Sequence, residues 1–239
     1  MAGKTSARQG VARRRVNRLP VERRVSDILL AARGVFTEKG YNDALISDIA
    51  EQAGVVEGSI YRFFANKRDL LVKMVEHWYE EMLDADDKQF ASVSGTRNRI
   101  RFVVHHHLAT IRQEPALSRL VFQELRPDPD YRKTRLFKLN QTYTHRIIEI
   151  MRDAVARGEF RADVPAPLVR DMIYGTIEHL TWAFLRNEGD FDIDATADTI
   201  TDVIYRGLCV VAPHDPIAYS VKLLEIVANR LERATAGKA

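Results

Sequence analysis

The clearest chemical signal in the sequence is an excess of positive charge at its N-terminal end. The first 24 residues carry eight basic side chains against one acid, Glu22, which gives this segment a net charge of +7. The whole chain of 239 residues carries +3, so residues 25–239 carry −4. A basic arm on an acidic body is typical of nucleic-acid binding, and a solubilising tail is the alternative. Residues 1–20 lack hydrophobic periodicity, so we expect a disordered arm in the absence of a partner.

Other reactive side chains form no catalytic or metal-binding pattern. His105, His106 and His107 are consecutive, so on a helix they point about 100° apart and cannot share one face. The single cysteine, Cys209, excludes an intramolecular disulfide and a zinc site built on cysteines. A Gly-x-Ser-x-Gly elbow, a phosphate-binding glycine loop and a His-Glu-x-x-His pair are also missing. We therefore expect no metal, no cofactor and no catalysis.

Composition indicates the class of protein. The chain is 46% hydrophobic, and no apolar run approaches the ~18 residues that a membrane-spanning helix needs. Twelve glycines and eight prolines are few for the many turns of an all-β fold. The N-terminal arginines are not followed by the apolar core of a secretory signal. These features predict a soluble, mostly helical, cytoplasmic protein that makes no membrane contact.

Two short helices joined by a tight turn are predicted near the N-terminus. Apolar residues repeat with helical spacing over 46–53 and again over 56–64, and Gly54 lies between them as a left-handed helix stop. A longer helix precedes the pair at 20–39, and Asn66 is a good N-cap for the helix that follows. This arrangement is typical of a helix-turn-helix, although any small helical domain could contain such a pair.

The remaining periodic segments extend the helical prediction over most of the chain. Gly40 is expected to end the first helix and Gly158 a long central one. Further helices are predicted at 96–113, 115–125, 131–157, 167–187, 195–210 and 216–234. The predicted fold class is all-α, with an N-terminal three-helix unit and a larger helical domain.

The sequence from Ile28 to Leu71 resembles the N-terminal domain of the TetR/AcrR family of bacterial regulators. The resemblance rests on four segments in order and without gaps: Phe36-Thr-Glu-Lys-Gly-Tyr41, Asp48-Ile-Ala-Glu-Gln-Ala-Gly-Val55, Gly58-Ser-Ile-Tyr-Arg-Phe-Phe64 and Asn66-Lys-Arg-Asp-Leu-Leu71. It implies a homodimer in which the first three helices bind DNA. The implied division is a basic arm at 1–20, a DNA-binding domain at 21–72 and an effector-binding and dimerisation domain at 73–239.

The resemblance also assigns the DNA contacts. Gly58 would let the recognition helix approach the DNA backbone, Ser59, Tyr61 and Arg62 would contact bases and phosphates, and Lys67 would bind a phosphate. Core packing is the alternative for Tyr61, and a solvated helix end is the alternative for Lys67. To these we add three arginines of the basic arm that could reach an adjacent minor groove: Arg13, Arg14 and Arg15.

Three positions depart from the family pattern. Leu45 stands where a Ser or Thr usually opens the second helix, Val56 where a Ser usually caps the recognition helix, and Glu57 where a Lys is common. Each change removes a hydrogen-bond donor or a positive charge near phosphate, and a lost cap typically costs ~0.5–2 kcal/mol of helix stability. These departures make individual DNA contacts less certain and leave the predicted fold unchanged.

An effector pocket is predicted among the helices of residues 100–182. Apolar residues with a few polar groups are typical of ligand sites, although a plain helical core is the alternative. The candidate lining residues are Val104, Phe122, Arg126, Tyr143, Arg146, Ile147, Met151, Ile173, Tyr174 and Trp182. Two segments, Glu159-Phe-Arg-Ala-Asp163 and Met172-Ile-Tyr-Gly-Thr176, resemble regulators that sense fatty acyl-CoA, which makes acyl-CoA the leading candidate.

The dimer face is expected on the helices at 167–187 and 195–210, which the family uses for a four-helix bundle. Its candidate residues are Ile177, Leu180, Phe184, Ile200, Val203 and Ile204, with burial inside one subunit as the alternative. The sequence thus predicts a dimeric, ligand-responsive repressor that binds a palindromic operator and is released by an apolar effector. The alternative is a helical lipid- or acyl-CoA-binding protein without a DNA role.

Overall fold

The computed structural model describes residues 21–210, without the side chains of residues 86–88. The basic arm with Arg13, Arg14 and Arg15, and the helix predicted at 216–234, lie outside the described residues.

The described part of the chain is built from helices. In order they are α1 (Val21–Asp43), α2 (Ile46–Gln52), α3 (Glu57–Ile60), α4 (Lys67–Phe90), α5 (Thr96–Gln113), α6 (Pro115–Arg119), a π-helical turn (Leu120–Leu125), a 3-10 turn (Tyr131–Lys133), α7 (Arg135–Ala156), α8 (Ala166–Leu185) and α9 (Ile193–Leu208). Within residues 21–210 no strand forms, and Phe160 and Cys209 make an isolated antiparallel bridge. The all-α prediction is confirmed.

Glycine and asparagine define the helix ends that the sequence indicated. Gly40, Gly54 and Gly158 have φ of 75°, 65° and 69°, in the left-handed region that other residues rarely adopt. Gly40 breaks the helical geometry of α1, and its last residues continue beyond the break. The Oδ1 atom of Asn66 accepts a hydrogen bond of 2.9 Å from the backbone N–H of Asp69, which caps α4 as predicted.

Buried apolar residues form two clusters. The N-terminal core joins α1–α4 to a group from the segment that begins with α6: Leu117, Leu120, Val121, Leu125, Tyr131, Leu136 and Tyr143. The C-terminal core lies among α5, α7, α8 and α9. Phe122 and Tyr174 pack against both clusters. The boundary predicted between residues 72 and 73 falls inside α4, so the helix is continuous where the domains were expected to divide.

The π-helical turn at Leu120–Leu125 is a local feature that the periodicity did not predict. At its end the backbone N–H of Arg126 donates to the carbonyl of Val121, five residues back, at 2.9 Å. Single π-helical turns are rare and often occur at functional sites. Here the turn directs Leu120, Val121 and Leu125 into the N-terminal core and positions Phe122 between the two cores.

Candidate DNA-binding surface and effector site

The recognition helix α3 and the residues directly after it bury two apolar side chains and leave polar side chains exposed. Ile60 and Phe64 are 1% and 4% exposed and attach the segment to the N-terminal core. Tyr61 is 53% exposed, so the alternative of core packing is wrong. The other candidate contacts of this segment are exposed or half-buried: Gly58, Ser59 and Arg62. The segment from Gly58 to Arg62 therefore presents hydrogen-bond donors and one guanidinium on an open surface.

Gly58 has no internal reason to be glycine. A Cβ atom at this position would find no heavy atom within 4 Å, and its φ lies outside the left-handed region. Within residues 21–210, neither packing nor backbone conformation therefore requires a glycine here. A close approach of the helix to DNA at Gly58 stays a prediction.

Lys67 anchors the connection between α1 and α2. Its Nζ donates to the carbonyls of Asn42 at 3.1 Å and Ala44 at 2.8 Å, and lies 4.7 Å from the ring centroid of Tyr41. The alternative of a solvated helix end is therefore wrong. An ammonium has three donors, so these two bonds leave one for a phosphate. Contact with phosphate stays a prediction.

Asp48 supplies one half of a capping box, and Leu45 has no side-chain oxygen to supply the other half. Its Oδ2 atom accepts from the backbone N–H of Leu45 at 3.2 Å and from the Nζ of Lys39 at 2.9 Å. The hydrogen bond from Lys39, and then that from Leu45, lower the pKa of Asp48. Val56 has no such substitute, because α3 begins without a side-chain cap.

Four rings from α4, α5, α7 and α8 form what we call the aromatic cluster: Tyr79, His107, Tyr143 and Tyr174. His107 Nδ1 and the hydroxyl of Tyr143 share a hydrogen bond of 3.1 Å, and the rings of His107 and Tyr174 are 5.0 Å apart. The rings of Tyr79 and Tyr143 are 6.2 Å apart. Burial, followed by the charges of Arg126 and His106, lowers the pKa of His107 to about 3. The histidine is therefore neutral at physiological pH.

An ion pair lies beside the aromatic cluster. Arg126, at the end of the π-helical turn, donates to the carboxylate of Glu178 in α8 at 2.5 Å and stacks 5.2 Å above Phe122. Burial raises the pKa of Tyr79 and of Tyr131, so both phenols stay protonated next to this pair. The pair ties the π-helical turn to α8 across the centre of the larger domain.

The space next to the aromatic cluster is narrow. It is lined by Tyr143 and Arg146 of α7, by Tyr174 and by residues of α5. Its volume is about 10 Å³. Ligand pockets are typically ~300–1,000 Å³. The guanidinium of Arg146 lies 4.5 Å from the ring centroid of Phe90 at the end of α4. In this arrangement of side chains the space is therefore too small for a long apolar ligand.

The other predicted lining residues divide into two groups. Val104, Ile147, Met151 and Ile173 are at most 2% exposed and belong to the C-terminal core. Trp182 is 42% exposed and lies in neither cluster, because its position in α8 turns it outward. Its assignment to the pocket is corrected. The three histidines diverge as expected, with His105 3.5 Å from Asp194, His106 stacked on Phe102 and His107 in the aromatic cluster.

The predicted dimer residues are also divided. Ile177 and Ile204 are 0% and 8% exposed and pack inside the protomer, which corrects their assignment to a partner-facing stripe. Phe184 and Ile200 are half-buried. The exposed large apolar side chains of α8 and α9 include two predicted residues and two that sequence reasoning missed: Leu180, Val203, Leu168 and Met172. Leu168 and Met172 are one turn apart on the outer side of α8, a spacing that could have revealed them.

Two mid-helix glycines accompany these exposed residues. Gly175 in α8 and Gly207 in α9 are exposed, and a Cβ atom at either would meet nothing within 4 Å. Glycine in a helix costs roughly 1 kcal/mol against alanine. Neither is required within the described protomer.

The helices of the two domains are tied together by charge as well as by the shared core. Arg33 of α1 pairs with Glu114, just before α6, and with Glu81 of α4 at 3.3 Å. Arg68 of α4 pairs with Asp128, which follows the π-helical turn, at 3.0 Å. The segment from residue 114 to 128 is therefore attached by ion pairs at both of its ends, to α1 at one end and to α4 at the other.

Family models match both parts of the chain. Residues 28–74 match the model of bacterial regulatory proteins of the tetR family, and residues 71–207 match that of the C-terminal region of YsiA-like proteins. The chain belongs to the TetR family. Among the described residues of this TetR regulator, no helix is long and apolar enough to cross a bilayer.

The relatives of this TetR chain include a regulator of fatty acid metabolism. The fatty acid metabolism regulator protein of Bacillus subtilis is 24% identical over 76% of this chain and 93% of its own length. The transcriptional repressor KstR2 of Mycolicibacterium smegmatis is 25% identical over 70% of this chain and 80% of its own. The structure of FadR from Bacillus subtilis in complex with stearoyl-CoA is similar with a TM-score of 0.68 at 24% identity, over 76% and 98% of the two chains. These relatives are transcriptional regulators, not enzymes.

Proposed function

We propose that this TetR protein is a dimeric repressor that binds a palindromic operator and releases it when an apolar effector enters the larger domain. The leading effector is a fatty acyl-CoA. One observation carries the proposal: the segment that begins at α6 packs its apolar side chains into the N-terminal core, while Phe122 and Arg126 of the same segment reach the centre of the larger domain. A ligand there cannot displace this segment without disturbing the support of α1.

The DNA-binding part of the proposal is supported by the exposed side of α3. In a dimer two such helices enter successive major grooves about 34–36 Å apart, so the operator repeats the two-fold symmetry of the protein. Tyr61 and Arg62 contact the bases and the backbone, and Lys67 contacts phosphate while it holds the α1–α2 connection. The basic arm adds Arg13, Arg14 and Arg15 in the neighbouring minor groove.

The dimeric state is supported by the outer sides of α8 and α9. Leu168, Met172, Leu180 and Trp182 are 38–52% exposed, and Val203 of α9 is 67% exposed. A patch of this kind on a soluble protein marks an interface. Gly175 and Gly207 let two helices of a partner approach closely, which accounts for their presence in mid-helix.

The effector part of the proposal is supported by the chemistry around the aromatic cluster. The two cores supply an apolar environment for an acyl chain, and Arg126 and Arg146 supply charge for phosphates or a thioester carbonyl. The FadR relative bound to stearoyl-CoA belongs to the same fold. The present space beside the cluster is about 10 Å³, so in this proposal the effector binds by widening it. An effector that binds better to an opened conformation lowers DNA affinity by linkage.

Fluorescence anisotropy with DNA from upstream of its own gene tests the proposal. We expect tight, salt-sensitive binding that stearoyl-CoA weakens. The Tyr61→Ala variant should lose affinity, whereas Lys138→Ala, at an exposed position of α7, should not. If stearoyl-CoA does not change DNA binding, the proposal of a repressor stands and this effector is rejected. No DNA binding at low salt, with stearoyl-CoA still bound, would favour the lipid-binding alternative.

A further inference from the structure

Val56 is exposed to a degree that the protomer does not explain. It immediately precedes α3, and at 74% it is the most exposed large apolar side chain in residues 21–210. Its carbonyl accepts from the N–H of Ser59 at 2.8 Å, so its backbone is fixed while its two methyl groups face outward. An exposed valine at the start of a recognition helix offers no hydrogen bond to a phosphate. It offers an apolar contact instead.

Glu57, the first residue of α3, is the second unexplained side chain. It is exposed and makes no ion pair or side-chain hydrogen bond with any other residue in 21–210. A carboxylate on a surface that approaches DNA is repelled by the phosphates. The major groove also presents donors from which a carboxylate can accept a hydrogen bond, namely the amino groups of the bases.

We propose that Val56 and Glu57 read the operator directly, an inference that rests on the proposed DNA-binding function. The methyl groups of Val56 pack against the C5-methyl of a thymine, and the Glu57 carboxylate accepts a hydrogen bond from the N4 amino group of a cytosine. Both are recognised pairings in the major groove. The first residues of a recognition helix are those that reach base edges. The two residues are adjacent, so the two bases lie within about two base pairs, at 3.4 Å per step.

The open space around Gly58 makes this contact geometrically possible. A Cβ atom at Gly58 would meet no heavy atom of the described residues within 4 Å, so the space beside the start of α3 is open. Tyr61 and Arg62 follow one turn later and remain available for the backbone. The departures from the family pattern at Val56 and Glu57 thereby become determinants of which operator is chosen.

Replacing single thymines by deoxyuridine tests the Val56 contact, since only the C5-methyl is removed. The operator is first defined by selection from random DNA with the full-length protein. One thymine per half-site should then show an about fourfold loss of affinity on replacement, the equivalent of ~0.8 kcal/mol for one methyl-sized group. The Val56→Ala variant should bind the thymine and deoxyuridine operators equally.

Selection with the Glu57→Gln variant tests the other contact. The parent protein should prefer cytosine at the contacted position by about tenfold, and the variant should shift toward adenine, the base that glutamine pairs with. Glu51→Gln on α2 is the matched control, because it removes the same charge from an exposed side chain. It should alter the salt dependence of binding in the same way and leave the base preference unchanged.

The outcomes separate this inference from the function on which it rests. Absence of sequence-specific DNA binding would overturn both. Specific binding that tolerates deoxyuridine at every position, together with an unchanged base preference in Glu57→Gln, would overturn this inference alone. Glu57 would then be a residue that only stabilises the first turn of α3, which thermal unfolding of the same variant would show.

Discussion

Replacing His107 by glutamine tests the aromatic cluster through the pH dependence of stability. Burial, with the charges of Arg126 and His106, lowers the pKa of His107 to about 3, from an ordinary value of 6.5. Between these values the unfolded chain binds a proton that the folded chain does not. The stabilisation from neutral His107 is therefore complete above about pH 6.5 and is lost as the pH falls toward 3.

The size of the effect follows from the depressed pKa of His107. Each pH unit below 6.5 removes about 1.4 kcal/mol from the free energy of unfolding, so a change from pH 7.5 to 5 removes about 2 kcal/mol. Part of the His107 surface is accessible, and solvent screening makes this an upper bound. Glutamine can keep a hydrogen bond to the hydroxyl of Tyr143 and does not titrate.

Urea unfolding of both proteins between pH 7.5 and 5 measures the difference. The two proteins differ only at residue 107, so subtraction isolates the contribution of His107. We expect the parent protein to lose up to about 2 kcal/mol more than His107→Gln. His145→Gln, the same substitution at an exposed position of α7, is the matched control. Equal losses in the parent and His107→Gln would show that His107 is solvated in the folded state, and the reasoning would be refuted.

Three further predictions concern single positions. Gly58→Leu should leave the melting temperature nearly unchanged, because the position is open. It should reduce operator affinity at least about tenfold, because the larger side chain blocks the approach to DNA. A thermal melt measures the first effect and fluorescence anisotropy the second. Lys67→Met should lower the free energy of unfolding by about 1–3 kcal/mol, because the carbonyls of Asn42 and Ala44 lose their donor; an unchanged urea midpoint would contradict this. Gly175→Leu should yield folded monomers by analytical ultracentrifugation, and an intact dimer would remove α8 from the interface.

The sequence was most informative where local chemistry decides the structure. Gly40, Gly54 and Gly158 adopt left-handed φ as expected, and Asn66 caps α4. These features depend on neighbours within a few residues of the chain. The exposed Tyr61 follows from the same logic, because its neighbours Ile60 and Phe64 occupy the core.

Features set by contacts between distant segments were harder to predict. Ile177 and Leu180 are both apolar and close on α8, yet one is buried and the other 38% exposed. Hydrophobic periodicity predicts that α8 is an apolar helix. It does not predict which side of the helix packs inside the protomer and which side is exposed. The π-helical turn was missed for a similar reason, since its register is fixed by packing against α1 and by the pair between Arg126 and Glu178.

The most direct test of the account is the affinity of stearoyl-CoA for the free protein and for the operator-bound protein. If the segment between α6 and Arg126 couples the two sites, binding must be reciprocal. The account predicts that operator-bound protein binds stearoyl-CoA about 5–150-fold more weakly, by the factor with which stearoyl-CoA weakens operator binding. Equal affinities for the free and the operator-bound protein would contradict it.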